Sequence, residues 1–275
     1  MSRSIKLITG IPRSGTTLCC KLLNQRADVV ALHEPINPGA MPQSYTAKEA
    51  LDSIVVQIGQ FDRAIEQGLP FTHADKGGLT TDNPVGLNVK NGVRQVVAKR
   101  GEVQLPAREE NSYELFIKQN ALFTALMPRL ERHFPIMCIV RNPVDVLLSW
   151  LTVDLPVNRG HIPAGERFDP LLRQQLAQQE DCLSRQLTIY KWFMVGFLTS
   201  GHPIIRYEDV IASDGANLDK ALGLSQITRE TLQSQQRTFS PHILQQIDLA
   251  MPSLMELDFA GLYGKKDILQ ARSEL

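Results

Sequence analysis

Gly10-Ile11-Pro12-Arg13-Ser14-Gly15-Thr16-Thr17 follows the apolar run Ile5-Lys6-Leu7-Ile8-Thr9 and leads into a helical pattern from Leu18 to Leu23. Strand, glycine-bounded loop and helix start, in that order, build a cradle for an anion. Glycine lets the backbone turn tightly and approach closely, and the helix N-terminus aims its N–H groups and positive dipole end at the ligand. The spacing is that of a Walker A loop, but Thr16 stands where the lysine belongs, and a cation comes earlier, at Arg13. The loop reads as a site for a phosphate-like group that lacks a part ATP and GTP users normally need.

Working outward, apolar runs recur with helical patterns between them. Val29-Val30-Ala31-Leu32 predicts a second strand ending at His33-Glu34-Pro35, where Pro35 and Pro38 force a loop. Thr46-Ala47-Lys48-Glu49 has the form of a capping box, and Leu51, Ile54, Val55, Ile58, Phe61 and Ile65 follow at helical spacing. Leu115–Lys118, Pro135–Val140 and Pro203–Tyr207 read as further strands, with a helix from about Ala121 to Arg132. Asp169-Pro170 predicts a cap for one long helix reaching roughly Leu198, and the remainder of the chain is mostly helical. Residues 67–112 are an irregular polar excursion in which Asn91-Gly92 turns a hairpin between Leu87–Lys90 and Val93–Val97. The expected fold is a single α/β domain over 1–275: a P-loop-type parallel sheet flanked by helices, with a helical C-terminal part. Ligands of such sheets sit at the C-terminal strand ends.

Composition bounds the partners. With 29 basic and 29 acidic residues the formal charge is zero, which argues against nucleic acid or anionic polysaccharide. The first strand begins within a few residues of Met1, leaving no room for a signal peptide, and no stretch is long and apolar enough to span a bilayer. A cytoplasmic protein without a membrane partner is expected. Cys19, Cys20, Cys138 and Cys182 form no C-x-x-C and read as reduced, buried thiols. The histidines show no metal-ligand spacing.

The strand ends carry unusual polar residues: Arg13 to Thr17, His33-Glu34, Lys118, and Arg141 with Ser149. In a parallel sheet these converge on one edge. Three cations in one crevice of a neutral chain suit a ligand with more than one phosphate-like group. Ser149 lies eight positions after Arg141, about two helical turns, so its hydroxyl is expected to face back toward that arginine.

Gly10–Thr17 resembles the 5′-phosphosulfate loop of sulfotransferases. Arg141-Asn142-Pro143-Val144-Asp145-Val146-Leu147-Leu148-Ser149-Trp150 looks like their 3′-phosphate motif, and Arg206-Tyr207-Glu208-Asp209-Val210 is similar to their Tyr-Glu-Asp strand end. The matches run in family order from about residue 5 to 211. The resemblance implies an α/β P-loop sheet, the donor 3′-phosphoadenosine 5′-phosphosulfate (PAPS), its product PAP, and no metal. It implies that Arg13 neutralises the leaving phosphate's bridging oxygen and that Ser14, Gly15, Thr16 and Thr17 bind the 5′-phosphate. Arg141 and Ser149 would hold the 3′-phosphate. Lys118 matches the family's strand lysine, and Tyr207 either touches adenine or only packs.

Two positions depart from the pattern. Leu18 stands where cytosolic members stack a tryptophan on adenine, and Asn120 stands at the position of their catalytic histidine. An amide is no base, so another group must take the acceptor's proton. Glu34 is the leading candidate and His33 the alternative. The C-terminal Arg-Lys-Gly clamp is also missing, with Lys265-Lys266 as a stand-in. The expected function is sulfuryl transfer to a hydroxyl or nitrogen of a small-molecule acceptor, as in the tailoring of a metabolite or natural product. An ATP-dependent phosphotransferase and a non-catalytic nucleotide-binding protein are the alternatives. Oligomeric state is not legible.

Overall fold

The computed structural model describes residues 4–90, 92–110, 112–233 and 238–275. Five strands form one parallel sheet: β1 (Ile5–Gly10), β2 (Val29–His33), β3 (Glu114–Lys118), β4 (Ile136–Val140) and β5 (Ile204–Arg206), in the order β2-β3-β1-β4-β5. β1 lies between β3 and β4, so successive connections leave it on opposite sides. The crevice at the C-terminal end of β1 is the switch point where open α/β sheets bind ligands.

Eleven α-helices are seen among the described residues. The first four are α1 (Thr16–Leu23), α2 (Ala47–Gln67), α3 (Ala121–Leu130) and α4 (Pro143–Leu151). Then come α5 (Pro163–Phe168), α6 (Pro170–Ala177), α7 (Cys182–Ser200), α8 (Tyr207–Ala212), α9 (Ala216–Leu222), α10 (Pro241–Glu256) and α11 (Lys265–Ser273). Both faces of the sheet are covered, which is why its strands are apolar without polar alternation. Ile8, Ala31, Phe116, Ile139 and Ile205 pack with Cys19, Leu22 and Leu218 on the α1 side. Leu7, Leu32, Ile117, Cys138 and Val140 pack with Ile54, Phe123, Leu147 and Phe193 on the other.

The capping box is present: Glu49 N–H donates to Thr46 Oγ1 at 3.3 Å, and Thr46 N–H donates to Glu49 Oε2 at 2.8 Å. The expected long helix from 170 to 198 is two helices. Asp169 caps α6, but the Asp181 carboxylate accepts from Ser184 N–H at 2.9 Å and starts α7 afresh. Tyr207, expected to end the fifth strand, opens α8. Within the excursion, Phe71–His73 pairs with Gly101–Val103, and Val85–Lys90 pairs antiparallel with Val93–Val96. Asn91 of the expected turn lies outside the described residues.

Three thiols are buried as expected, and burial pushes those of Cys20 and Cys138 up to about 12. Cys182 departs from the expectation. As the first residue of α7 it is exposed, its thiol donating to the Asn158 carbonyl. Among the described residues no helix is long and apolar enough to cross a membrane.

Candidate active site

Strand register decides which side chains meet. Ile8 and His33 are both level with Lys118, Gly10 with Ile139, and Val140 with Arg206. The ends of β1, β2, β3 and β4 therefore open at one edge, into a cavity of about 1230 Å³. Arg13, Gly15, Thr16, Thr17, Glu34, Lys118, Arg141, Ser149 and Tyr207 all line it. Nine of the eleven residues expected at the site are thus brought together, and Ser14 and His33 are not among them.

The loop is held from beneath by backbone and buried side chains. Ile11 N–H donates to Ile139 O at 3.1 Å, and the fully buried Trp150 donates Nε1–H to Pro12 O at 2.8 Å. Ser14 belongs to this support. Its N–H donates to Ile11 O and its hydroxyl to Ile139 O, each at 3.0 Å, and it is wholly buried. Gly15 has φ 81°, and a Cβ there would fall 2.3 Å from Tyr207 Cδ2. Only glycine accommodates both the left-handed backbone and the ring against it. Among the described residues no side chain caps the start of α1, so its first-turn amides keep their capacity for a ligand anion.

Arg13 also has a left-handed backbone, φ 74°. This is uncommon for a residue with a Cβ and is tolerated where the surroundings over-determine it. Its side chain is fixed at two points: Nε–H donates to Ser149 Oγ at 3.0 Å and Nη1–H to Asn83 Oδ1 at 3.0 Å. Ser149 thus faces Arg13 rather than Arg141, because α4 turns its hydroxyl toward the loop.

Arg141 lies over the Tyr207 ring, 4.5 Å from its centre, and 3.4 Å from the Asp145 carboxylate in the first turn of α4. Tyr207 therefore packs between Gly15 and Arg141. Glu208 locks the same corner. Its carboxylate accepts from Asn142 N–H and from the Tyr263 hydroxyl, both at 2.8 Å, while Tyr190 donates to Arg141 O at 2.9 Å. Nothing local in the sequence shows that Glu208 reaches Asn142, 66 residues away.

At the other end of the cavity, Lys118 Nζ is 2.6 Å from Glu34 Oε1, and Glu34 N–H donates to Lys118 O at 2.7 Å. Glu34 is the second non-glycine site residue with positive φ, 49°. Arg100 braces its backbone, donating to Glu34 O at 2.6 Å and to Pro35 O at 2.7 Å. Burial opposes ionisation of Glu34, but the charge and hydrogen bond of Lys118 outweigh it and hold its carboxyl below the usual range.

Glu34 follows β2 with the left-handed backbone noted above, whereas His33, the last residue of that strand, is buried. Its ring meets that of His73 edge-on, with centres 4.4 Å apart. Burial, with His73 and Lys118 nearby, depresses its pKa to about 3. His33, the alternative for the base, does not line the cavity.

The excursion closes on this site at two places. Its 79–85 stretch sits on α1, where Asn24 donates to Leu79 O at 3.2 Å and Lys21 pairs with Asp82 at 2.8 Å. Arg100 reaches the Glu34 backbone from its far end. Asn83 had no signal in the sequence. Lys265 and Lys266 are exposed at the start of α11 and do not line the cavity, whereas Ala271, Glu274 and Leu275 do.

No family model matches the chain, and no curated protein matches it. A solved sulfotransferase resembles it. That protein, from Alicyclobacillus acidocaldarius, superposes with a TM-score of 0.46 over 93% of this chain and 94% of its own, at 14% identity. At that distance the likeness says nothing of the reaction.

Chemically, the cavity has two unlike ends. One offers the open first turn of α1 with Arg13, Arg141 and Ser149, donors suited to a ligand with two separated anionic groups. The other offers an ionised carboxylate beside an ammonium. These residues fit a doubly phosphorylated nucleotide such as PAP.

Proposed function

We propose that the protein is a sulfotransferase that moves the sulfuryl group of PAPS to a hydroxyl on a small molecule. The observation that carries this reading is the single cavity joining a lysine-free, glycine-bounded anion loop to the Glu34–Lys118 pair. Without a γ-phosphate and its Mg²⁺ to hold, such a loop has no need of the Walker lysine.

In this reading the α1 amides, with Thr16 and Thr17, bind the 5′-phosphate, and Arg141 takes the 3′-phosphate. Arg13, already fixed by Ser149 and Asn83, meets the negative charge that grows on the leaving phosphate oxygen. A positioned cation of this kind needs no reorganisation during the reaction. The acceptor oxygen attacks sulfur as the bond from sulfur to the phosphate oxygen breaks, and Glu34 takes the acceptor's proton. Because Lys118 keeps Glu34 ionised but weakly basic, proton transfer accompanies attack rather than preceding it. Lys118 also offers positive charge to the sulfuryl oxygens in flight. PAP leaves with the electron pair of the broken bond.

The test is transfer of labelled sulfate from PAPS to an acceptor panel in the presence of EDTA. Transfer without divalent metal supports the reading. Transfer of phosphate from ATP, appearing only with Mg²⁺, would replace it with the phosphotransferase alternative.

A further inference from the structure

A second cavity, of about 640 Å³, borders the chain that follows Glu34. Residues 34–42 touch both cavities. Glu34, Pro38 and Gly39 line the larger one, whereas Pro35, Asn37, Ala40, Met41 and Pro42 line the second. Two arginines pin this run of chain through its carbonyls. Arg100 donates to Glu34 O at 2.6 Å, Pro35 O at 2.7 Å and Ile36 O at 3.4 Å. Arg167 of α5 donates to Pro38 O at 3.0 Å, to Met41 O at 3.3 Å and to Pro42 O.

One face of α2 supplies another wall. Ser53, Gln57, Gln60 and Ala64 recur at helical spacing, and all line the cavity. Met41, Phe61 and Phe71 are 5%, 7% and 7% exposed, so they shape the cavity while offering a guest little carbon. Much of the lining that stays open is polar: Asn37, Gln60, Thr72 and Arg100 are exposed and Gln57 is half-buried. Arg100 is the one charged residue among the described residues that line it. Strand register puts it there. His73 is level with Gly101, so Arg100 comes just beyond the end of that pairing. Its three bonds go to neutral carbonyls, and Glu34, the acid whose charge reaches it, is paired with Lys118 at 2.6 Å. A guanidinium has about five N–H donors, so Arg100 keeps capacity for a guest.

We propose that this second cavity is an effector site for a small hydroxylated carboxylic acid of the sugar-acid class, its carboxylate on Arg100 and its hydroxyls on Gln57, Gln60 and Thr72, and that its occupancy is felt at Glu34 through the chain 34–42. A guanidinium that no acid in the cavity neutralises selects an anion, and its planar fork matches a carboxylate. Amides and hydroxyls replace the water that a hydroxylated body gives up, whereas an apolar acid would leave them facing carbon. The guest and the Glu34 carbonyl share one guanidinium, so a guest that draws on Arg100 shifts the backbone that carries the carboxylate. The coupling bears on catalysis through the sulfuryl-transfer reading above; the site stands without it.

The experiment uses the whole chain with PAP present to occupy the anion loop. D-Glucuronate is titrated by calorimetry and by amide nuclear magnetic resonance, with D-glucose as the neutral comparison. Gln57→Trp fills the cavity from α2, and Arg100→Gln removes the charge. D-Glucuronate is expected to bind about tenfold or more tighter than D-glucose and to lose about tenfold or more in each variant. It is also expected to move the amide resonances of Asn37, Gln57, Thr72 and Glu34 and to leave those of Thr16 and Thr17 in place. Failure of D-glucuronate to bind, equal binding of D-glucose, or binding undiminished in a variant that circular dichroism shows to be folded overturns the site. Should neither variant fold, resonance shifts confined to residues 13–17 or 141–149 of the wild type overturn it. Shifts at Asn37, Gln57 and Thr72 with Glu34 unmoved overturn the coupling alone. Absence of PAP binding overturns the donor reading, and the same shifts still decide this site.

Discussion

Lys118 Nζ and Glu34 Oε1 lie 2.6 Å apart at the ends of two adjacent parallel strands, joined again by the Glu34 N–H to Lys118 O bond. Two residues 84 positions apart in sequence thus form one unit, set by strand register. If Glu34 takes the proton, Glu34→Gln keeps the shape and removes the base. Turnover should fall by about 10²- to 10⁴-fold with PAP affinity little changed. Steady-state kinetics and calorimetry measure the two sides, and undiminished turnover removes Glu34 from the mechanism.

The partner substitution acts on pH dependence. Lys118 lowers the Glu34 pKa against the opposing effect of burial. Replacing it with methionine leaves burial unopposed by that charge, so the Glu34 pKa rises. Activity that needs ionised Glu34 then falls away at a higher pH than in the wild type. The acid limb of kcat/KM should move upward in Lys118→Met, and an unmoved limb would show that another group controls it.

Asn83 is the clamp the excursion contributes. It accepts from Arg13 Nη1–H at 3.0 Å and from Val85 N–H at 3.1 Å. Asn83→Leu should weaken PAP on the order of tenfold by releasing one end of Arg13. Asn83→Asp, which retains an acceptor oxygen, should restore most of that loss. Equal effects of the two would mean that Asn83 acts only through the folding of its loop.

Arg141 separates two ligands. If it holds the 3′-phosphate, Arg141→Ala should weaken PAP by on the order of 10- to 100-fold and leave AMP nearly unchanged. Parallel loss of both nucleotides would place the 3′-phosphate elsewhere.

The central sheet was legible because each of its strands is a short apolar run bounded by turn residues or leading into a helix. The anion loop was legible for the same local reason. Contacts between distant segments were not. Ser14 has the right type for an anion ligand, but its hydroxyl is taken by Ile139 O, 125 residues away. His33 ends β2 and Glu34 follows it with a left-handed backbone, a turn no local pattern announces, so the sequence does not tell which of the two faces the crevice. The break between α6 and α7 turns on Asp181, a cap hidden in a run of good helix formers. Asn83 reaches Arg13 across 70 residues from an irregular segment, and periodicity carries no information there.

The most direct test of the whole account is calorimetric titration of the protein with PAP and, separately, with ATP in the presence of Mg²⁺. The account predicts clear binding of PAP without metal, reduced in Arg141→Ala, and weak or absent binding of ATP with Mg²⁺. A preference for ATP with Mg²⁺, or heat from neither ligand, would contradict it.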